Sequence, residues 1–139
     1  MPTTEVREAR PGDAAAIADL VDLLASLDGS KSPCTPAFVV EHLARENTTV
    51  LLAERDGVAV GLLSYSLSSS LYHAGLGAMI EELAVWPAVR RQGVADALMA
   101  EASRRFLCAR IASIVPLLPS PLPIDPNPLT VHCVLDPSA

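Results

Sequence analysis

Two helices are predicted in the first third of the chain from apolar residues at helical spacing. From Ala14 to Leu27 the apolar positions follow an i, i+3, i+4 pattern, with Asp13 as the predicted N-cap and Asp28-Gly29 as the end signal. A second helix is predicted to run from a threonine cap at Thr35 to about Arg45, because proline occupies its first helical position.

Extended segments are predicted on both sides of these helices. Thr4–Ala9 alternates weakly between apolar and polar residues and predicts a first strand. Thr48–Glu54 and Val58–Ser66 are β-branched and apolar, and Asp56-Gly57 between them predicts a hairpin, because both turn positions tolerate positive φ. The serine- and glycine-rich stretch Ser68–Gly77 is predicted to be a connecting loop.

The centre of the chain combines a strand, a basic turn and an amphipathic helix. Met79–Trp86 is mostly apolar but carries Glu81 and Glu82 in its middle. The strand should end at Pro87, which cannot donate to a sheet ladder. After the turn, apolar residues recur at helical spacing and predict a helix; these are Val94, Leu98, Met99, Ala102 and Phe106.

The turn before this helix has the composition of an anion-binding site. The first N–H groups of a helix lack internal partners, and the helix dipole places about half a positive charge there. Gly93 lets an anion approach the backbone, and Arg90 and Arg91 supply charge-assisted donors that suit phosphate. The local prediction is a phosphate or pyrophosphate cradle at residues 90–96. The alternative is a basic turn that merely precedes a helix.

These residues resemble the signature of a known enzyme family. Arg90-x-x-Gly93-x-Ala95 is similar to the Q/R-x-x-G-x-G/A motif of the GNAT superfamily of N-acetyltransferases. The preceding strand Glu82–Pro87 and the following helix start Asp96–Met99 also resemble the family's elements.

The resemblance covers residues 1 to about 107 and implies a fold. That fold is α+β, an α/β three-layer arrangement of the GNAT type, with a central mixed, mostly antiparallel sheet flanked by helices. The predicted order of strand, two helices, hairpin, strand and helix agrees with the front half of this fold.

The resemblance also implies acetyl-CoA as co-substrate. In the family this strand opens to receive the pantetheine arm, and the N–H of Val85 or its neighbour would face the thioester oxygen. Core packing is a compatible alternative role for the strand residues. The residues implied to bind acetyl-CoA are Leu83, Ala84, Val85, Arg90, Arg91, Gln92, Gly93, Val94, Ala95 and Asp96.

Acetylation of an amine also requires a base. A lysine-like amine has a pKa of about 10.4, so freeing its lone pair at pH 7 costs roughly 4–5 kcal/mol. A carboxylate can take the proton directly or through a water molecule. The resemblance implies that Glu81 and Glu82 lie next to the acceptor, although adjacent strand residues point to opposite faces, so at most one should face it unless a bulge intervenes. The alternative is that one carboxylate hydrogen-bonds a neighbouring loop and the other is solvated.

The family's usual general acid is not visible in the sequence. It is a tyrosine on a later helix, which protonates the coenzyme A sulfur. The chain has two tyrosines, Tyr65 and Tyr72. Tyr72, beside His73, is the candidate to line the acceptor site, and an exposed loop or sheet position is the alternative. A thiolate with a pKa of about 8.5 can leave without an acid, so we expect weakened rather than abolished catalysis.

Composition and charge narrow the class of protein. The 139 residues suffice for one domain, and 50% hydrophobic with 19% charged residues indicates a globular core. A net charge of −6 argues against a nucleic-acid partner. Together with the glutamate pair, it favours a cationic acceptor such as a polyamine, an aminoglycoside-like amine or a lysine.

Location and metal content are predicted from what the sequence lacks. There is no secretory h-region and no apolar run long enough to cross a membrane. The three cysteines have no metal-like spacing and are odd in number. These features predict a cytoplasmic protein with free thiols, no metal and no membrane partner.

The C-terminal part departs from the family pattern. Ala109–Val115 can supply a fifth strand, but repeated prolines from Pro116 onward exclude an ordinary helix and favour extended conformations. Thr130–Leu135 could add one more strand. We therefore divide the chain into a GNAT-like acetyl-CoA-binding domain, residues 1–115, and an atypical proline-rich tail, residues 116–139. A truncated and replaced C-terminus, as a changed reading frame would produce, is our hypothesis, and a lineage-specific tail is the alternative.

The leading functional hypothesis is an N-acetyltransferase. It would transfer an acetyl group from acetyl-CoA to a primary amine of a small or cationic acceptor. One alternative is a catalytically weak coenzyme A-binding module, which the missing helix and tyrosine favour. Another is a fragment stabilised as a homodimer through an unpaired sheet edge.

Overall fold

The computed structural model describes residues 3–111 and 113–116. These residues form five strands and three helices in the order strand, two helices, three strands, helix, strand. The elements are β1 (Glu5–Glu8), α1 (Ala14–Ser26), α2 (Pro36–Leu43), β2 (Thr48–Arg55), β3 (Val58–Ser70), β4 (Gly75–Val85), α3 (Val94–Cys108) and β5 (Ser113–Pro116).

The five strands form one mixed sheet in the order β1-β2-β3-β4-β5. The first four strands pair antiparallel with their neighbours, and β5 pairs parallel to β4. The parallel step requires a crossover, which α3 provides between the two strands. The predicted α+β fold with a mixed, mostly antiparallel sheet is confirmed.

Apolar side chains on the two faces of the sheet build two separate cores. On one face, Leu63, Ile80 and Leu83 pack against the α3 residues Leu98 and Phe106. The other face packs against α1 and α2; its buried residues are Ala14, Ile17, Ala18, Leu20, Val39, Val50, Leu52, Leu62 and Ala84. The protein therefore has three layers, with the sheet in the middle.

Several local predictions are confirmed. Asp56 and Gly57 form the β2–β3 turn with φ of 51° and 76°. The Thr35 hydroxyl accepts a hydrogen bond of 3.2 Å from the Phe38 N–H and caps α2. The last strand before the basic turn, β4, ends at Val85, just before the Trp86-Pro87 dipeptide.

The predicted loop over Ser68–Gly77 is wrong. The strand β3 continues to Ser70 and β4 begins at Gly75, so only a short turn joins them. In this part of the hairpin Ser68 pairs with Gly77. Serine and glycine are poor strand formers, but hydrogen bonding to a paired neighbour outweighs such weak local preferences.

The start of α1 is as predicted but lacks a side-chain capping hydrogen bond, and the fifth strand starts later than predicted. Asp13 does occupy the N-cap position of α1, but its carboxylate makes no capping hydrogen bond there and instead accepts from the Arg10 N–H at 2.8 Å. The predicted fifth strand begins only at Ser113, because α3 extends to Cys108. Arg110, with φ of 53°, takes the left-handed conformation after α3 that glycine usually adopts.

Most of the predicted tail lies outside the residues that the structure describes. The predicted strand at Thr130–Leu135 and nearly all of the proline-rich segment lie outside the described residues, so the division at residue 115 stays a prediction. Within residues 3–111 and 113–116, no helix is long and apolar enough to cross a membrane.

Candidate active site

The predicted anion cradle lies at the N-terminus of α3. The first backbone bond of the helix runs from the Ala97 N–H to the Gly93 carbonyl at 3.0 Å, so the preceding N–H groups have no partner within the helix. They border a depression of about 140 Å³. The residues that line it are Val85, Val89, Arg91, Gly93, Val94, Ala95 and Asp96.

The backbone of the turn is held in an uncommon conformation. Gly93 has φ of 81°, and a Cβ built on it would enter open space rather than a neighbouring atom. Arg91 has φ of 61°, which is unfavourable for a side chain that is neither glycine nor asparagine. Such strain concentrates at ligand-binding turns. The space beside Gly93, the helix N–H groups and the exposed Arg91 are the features that would hold an anion at this turn.

Two arginines fix the turn from opposite sides. The Arg90 Nε donates a hydrogen bond of 3.2 Å to the Val85 carbonyl and ties the turn to the end of β4. Arg55, at the end of β2, donates from Nη2 to the Gln92 carbonyl at 3.0 Å and from Nη1 to the Gln92 side-chain oxygen. Gln92 therefore faces Arg55, whereas Arg91 borders the depression.

The edge of β4 that precedes the turn is open over part of its length. Pairing with β5 covers Gly77 to Ile80, and no described strand pairs on that edge with the residues from Glu81 to Val85. Leu83 and Val85 are fully buried in the core beneath α3. No described strand pairs with the backbone groups of Glu81–Ala84 on this edge, whereas the Val85 carbonyl accepts from Arg90. The family resemblance implies that this edge receives the pantetheine arm.

A β-bulge places the glutamate pair on one face of the sheet. Ser64 pairs with Glu82 while the next residue, Tyr65, pairs with Ile80, so Glu81 is the extra residue. Ile80 and Leu83 both lie in the core beneath α3. Because of the bulge, the two glutamates between them both fall on the opposite face of the sheet. The sequence had allowed both carboxylates on one face only if a bulge intervened, and it does.

Glu82 lines a second, larger cavity of about 570 Å³ between the sheet, α1 and α2. This volume is within the usual range for small-molecule sites. Glu81 is not among the described residues that line it. The lining residues are Ile17, Val21, Ser32, Pro33, Cys34, Thr35, Phe38, Val39, His42, Val50, Leu62, Ser64 and Glu82.

The environment of Glu82 suits a base. Burial raises the pKa of Glu82 above its ordinary value, and the nearby charge of Glu81 raises it further. A hydrogen bond donated by the buried Ser64 hydroxyl and the proximity of His42 lower the pKa of Glu82 and limit the shift. Burial, and then the charge of Glu82, raise the pKa of the Cys34 thiol, which makes it a poor nucleophile in this cavity.

The two tyrosines lie outside both cavities. Tyr72, predicted to line the acceptor site, is 93% exposed in the β3–β4 turn, where its ring packs edge-on against His73. Tyr65 is buried beneath α3, where its ring meets Phe106 edge-on at a centroid distance of 4.9 Å. Within the described residues, no tyrosine is among the cavity-lining side chains.

Sequence reasoning missed Ser64, Phe38 and Arg55 as parts of the two sites. Only the pairing register shows that Ser64 lies opposite Glu82, and only the hairpin brings Arg55 back to the turn. A polar residue within the apolar run of β3 was the one available signal for Ser64. In the described part of the chain, no group of three His, Cys, Asp or Glu residues could hold a metal ion.

The comparisons with known proteins identify the class and then the family. Two separate depressions border β4, one at Val85 and one at Glu82. The family model described as the acetyltransferase (GNAT) family matches residues 17–117. The chain therefore belongs to the GNAT acetyltransferase family, whose acyl donor is acetyl-CoA. No curated protein sequence matches the chain.

Solved structures support the same fold. A possible acetyltransferase from Clostridium difficile 630 superimposes with a TM-score of 0.75 at 21% identity, covering 83% of this chain and 79% of that one. Ribosomal-protein-alanine N-acetyltransferase from Brucella melitensis biovar Abortus 2308 has a TM-score of 0.71 at 18% identity, covering 81% and 78%. Aminoglycoside N-acetyltransferase AAC(6')-Iy, in complex with CoA, has a TM-score of 0.71 at 21% identity, covering 87% and 80%.

Proposed function

We propose that this protein transfers the acetyl group of acetyl-CoA to a primary amine of a small acceptor, with Glu82 as the base. The observation that carries the proposal is the position of Glu82. Its carboxylate lines the large cavity on the same strand whose end, at Val85, borders the anion cradle. One strand thus connects a site for the donor to a site for the acceptor.

The donor would be held at the turn before α3. Its pyrophosphate would accept hydrogen bonds from the helix N–H groups and from Arg91, and its pantetheine arm would lie along the open edge from Glu81 to Val85. Asp96 borders the same depression, and its charge opposes an anion. Because Asp96 lies in the first turn of α3, it also stabilises the helix through the dipole.

The transfer requires three proton movements, two from the acceptor nitrogen and one to the departing sulfur. Glu82 would take a proton from the ammonium group of the acceptor, directly or through a water molecule. The amine nitrogen would then attack the thioester carbonyl carbon, so that a C–N bond forms and the C–S bond breaks. The thiolate is a fair leaving group and departs with the electron pair of the C–S bond. The nitrogen, which became cationic when the C–N bond formed, releases its second proton to solvent, and the thiolate takes up a proton from solvent.

A second candidate is a catalytically weak coenzyme A-binding module. It is favoured by the two tyrosines, since neither Tyr65 nor Tyr72 lines a cavity in the described structure. Such a protein would bind acetyl-CoA with the same residues but would turn over slowly with every amine.

Calorimetric titration with acetyl-CoA tests the donor site first. We expect binding by the parent protein and about a tenfold to hundredfold loss of affinity for Arg91→Ala, which removes a charge-assisted hydrogen bond. Gly93→Asp should abolish binding, because it adds a negative charge and a strained φ at the cradle. Arg104→Ala is the matched control, since Arg104 lies on the exposed side of α3 and pairs with Glu101. An unaltered affinity in both cradle variants would refute the donor site.

Turnover then separates the two candidates. Free thiol released from acetyl-CoA should increase with an amine present, and Glu82→Gln should reduce kcat at least about a hundredfold, the usual contribution of a general base. Parallel assays of Glu81→Gln decide which glutamate acts. Binding of acetyl-CoA without amine-dependent thiol release would favour the binding module.

A further inference from the structure

The large cavity has one charged end and an apolar body. Glu82 and Ser64 form the charged end on the sheet, and His42 approaches it from α2. The apolar lining comes from the sheet, both helices and the loop between them: Ile17, Val21, Pro33, Phe38, Val39, Val50 and Leu62. Ser32, Cys34 and Thr35 add polar atoms from the loop, but the Ser32 and Thr35 hydroxyl oxygens already accept hydrogen bonds from the N–H groups of Cys34 and Phe38. Apolar atoms form most of the exposed wall.

We propose that the acceptor is a monoamine carried on an apolar body, such as an arylalkylamine or a long-chain alkylamine, rather than a polycation. This inference rests on the proposed function, because it assigns the large cavity to the acceptor. It also departs from the expectation drawn from net charge, which favoured polyamines and aminoglycoside-like amines. The charge of the whole protein is a property of its surface, whereas the cavity wall meets the substrate.

A polycation would leave charges without partners in this cavity. Among the described residues that line it, Glu82 is the only carboxylate. One ammonium group can pair with that carboxylate, but a second would be placed against apolar side chains or near His42. Burial of an unpaired charge is strongly unfavourable, so each additional ammonium group should weaken binding.

An apolar body would gain affinity from the same wall. Val50, Leu62 and Ile17 line the cavity with buried side chains, and they would cover methylene or ring carbons. Each buried methylene contributes about a fourfold gain in affinity. Phe38 borders the cavity and remains 47% exposed, so its ring is available to cover an aryl or alkyl group.

Binding of amines to the full chain saturated with coenzyme A tests the inference without turnover. The probes are 2-phenylethylamine and n-hexylamine against putrescine and spermidine, which share the same CH₂–NH₃⁺ end. Calorimetry or ligand-observed NMR should give at least tenfold tighter binding for the two monoamines. Equal or tighter binding of the polycations, or no binding by any probe, would overturn the inference.

A pair of variants on α2 supplies the control. Phe38→Asn should weaken binding of 2-phenylethylamine about tenfold while changing putrescine binding little. Val40→Asn is matched, because Val40 is 43% exposed on the same helix and does not line the cavity. Both positions are exposed, so folding should survive either change. Equal effects of the two variants on 2-phenylethylamine would contradict a cavity contact.

Failure of the inference and failure of the proposed function give different results. Turnover with polycations preferred over monoamines means that acetyl transfer stands and the apolar acceptor class is wrong. Preferential binding of the monoamines without thiol release means that the cavity has been assigned correctly and the catalytic proposal is wrong.

Discussion

Arg55, the last residue of β2, holds Gln92 in place in the turn before α3. Its guanidinium donates to both the carbonyl and the side-chain oxygen of Gln92, and its Nε donates to the Thr4 hydroxyl at 2.9 Å. The turn that Arg55 contacts lies between the left-handed Arg91 and Gly93. A strained turn needs such support from outside, because its own backbone preferences oppose it.

Arg55 should therefore act as a positioning residue for the donor pyrophosphate. We expect Arg55→Ala to raise KM for acetyl-CoA about tenfold, the effect of losing one to two hydrogen bonds that order the turn. KM for S-acetylpantetheine, which has no pyrophosphate, should not change. Steady-state kinetics with both donors make the comparison, and Arg104→Ala serves as control. A parallel rise of KM for both donors would indicate general loosening of the fold instead.

The turn also illustrates what the sequence could establish. Gly93 and the arginines were recognisable because glycine, positive charge and a helix start are adjacent in the chain. Their geometry follows from short-range backbone preferences, and the structure has the predicted strand, turn and helix in that order. The contact with Arg55 was not predictable, because it depends on how the hairpin positions the end of β2.

The acceptor side was less accessible to sequence reasoning for the same reason. Glu81 and Glu82 were identified as chemically unusual for a strand, but only the register reveals the bulge that places both on one face. The cavity wall draws on α1, α2 and three strands, so no local pattern marks it. Tyr72 was predicted to line the acceptor site because of its neighbours in the sequence. In the structure the long β3–β4 hairpin places it in an exposed turn.

The raised pKa of Glu82 predicts the pH dependence of turnover. A base must be ionised, so kcat/KM should fall as the pH drops through the pKa of Glu82, which burial and the charge of Glu81 place above its ordinary value. Glu81→Gln removes one of these causes and should move the acid limb to lower pH. His42 acts in the opposite direction, because its charge lowers the pKa of Glu82. An acid limb that stays in place in Glu81→Gln would show that another group controls it.

The same pKa shift predicts an effect on stability. Because the folded-state pKa of Glu82 is raised, the folded protein binds the proton more strongly than the unfolded chain does, and it loses stability as Glu82 ionises. The stability of Glu82→Gln relative to the parent should therefore increase as the pH rises from the ordinary carboxyl pKa through the raised folded-state pKa, and should stay constant above it. Urea denaturation at pH 5 and pH 8 measures the two differences. If the stability gain of Glu82→Gln over the parent is smaller at pH 8 than at pH 5, the pKa of Glu82 is not raised in the folded protein.

Gly61 allows α3 to approach β3 closely. A Cβ at this position would lie 3.0 Å from Val94 Cγ1, 3.1 Å from the Ala84 carbonyl oxygen and 3.3 Å from Leu98 Cδ1. Gly61→Val should destabilise the protein by about 1–3 kcal/mol, as overpacking does. Because Val94 opens α3, the variant should also bind acetyl-CoA more weakly.

Gly12→Ala is the control for the packing effect. A Cβ at Gly12 meets nothing within 4 Å, so its free energy of unfolding should change by less than about 0.5 kcal/mol. Chemical denaturation and calorimetry on the two variants separate stability from affinity. If Gly61→Val and Gly12→Ala lose the same stability, the loss comes from replacing a glycine as such and not from contact with α3.

Arg7 should stabilise the protein in a pH-dependent way. Its guanidinium donates two hydrogen bonds of 2.8 Å to the Asp13 carboxylate, from Nη1 and Nη2, and its Nε donates to Glu54 at 2.9 Å. These contacts tie β1 to the turn before α1 and to β2. The bidentate hydrogen bond to Arg7 lowers the pKa of Asp13 from 3.8 to about 2. Since the folded-state pKa is depressed, the contribution of Asp13 is fully present above pH 4 and is lost as the pH falls toward 2.

Arg7→Ala should therefore lower the free energy of unfolding by about 1–3 kcal/mol at pH 7, the range for partly buried charged hydrogen bonds. The difference in unfolding free energy between parent and variant should narrow on acidification. Below pH 4 the parent loses the Arg7–Asp13 contribution, which the variant lacks at every pH. Urea denaturation at pH 7 and pH 3 provides the measurement. Arg7→Lys should recover only part of the loss, since lysine cannot form the bidentate pair. A difference that is independent of pH would assign the role of Arg7 to packing of its side-chain stem rather than to its charge.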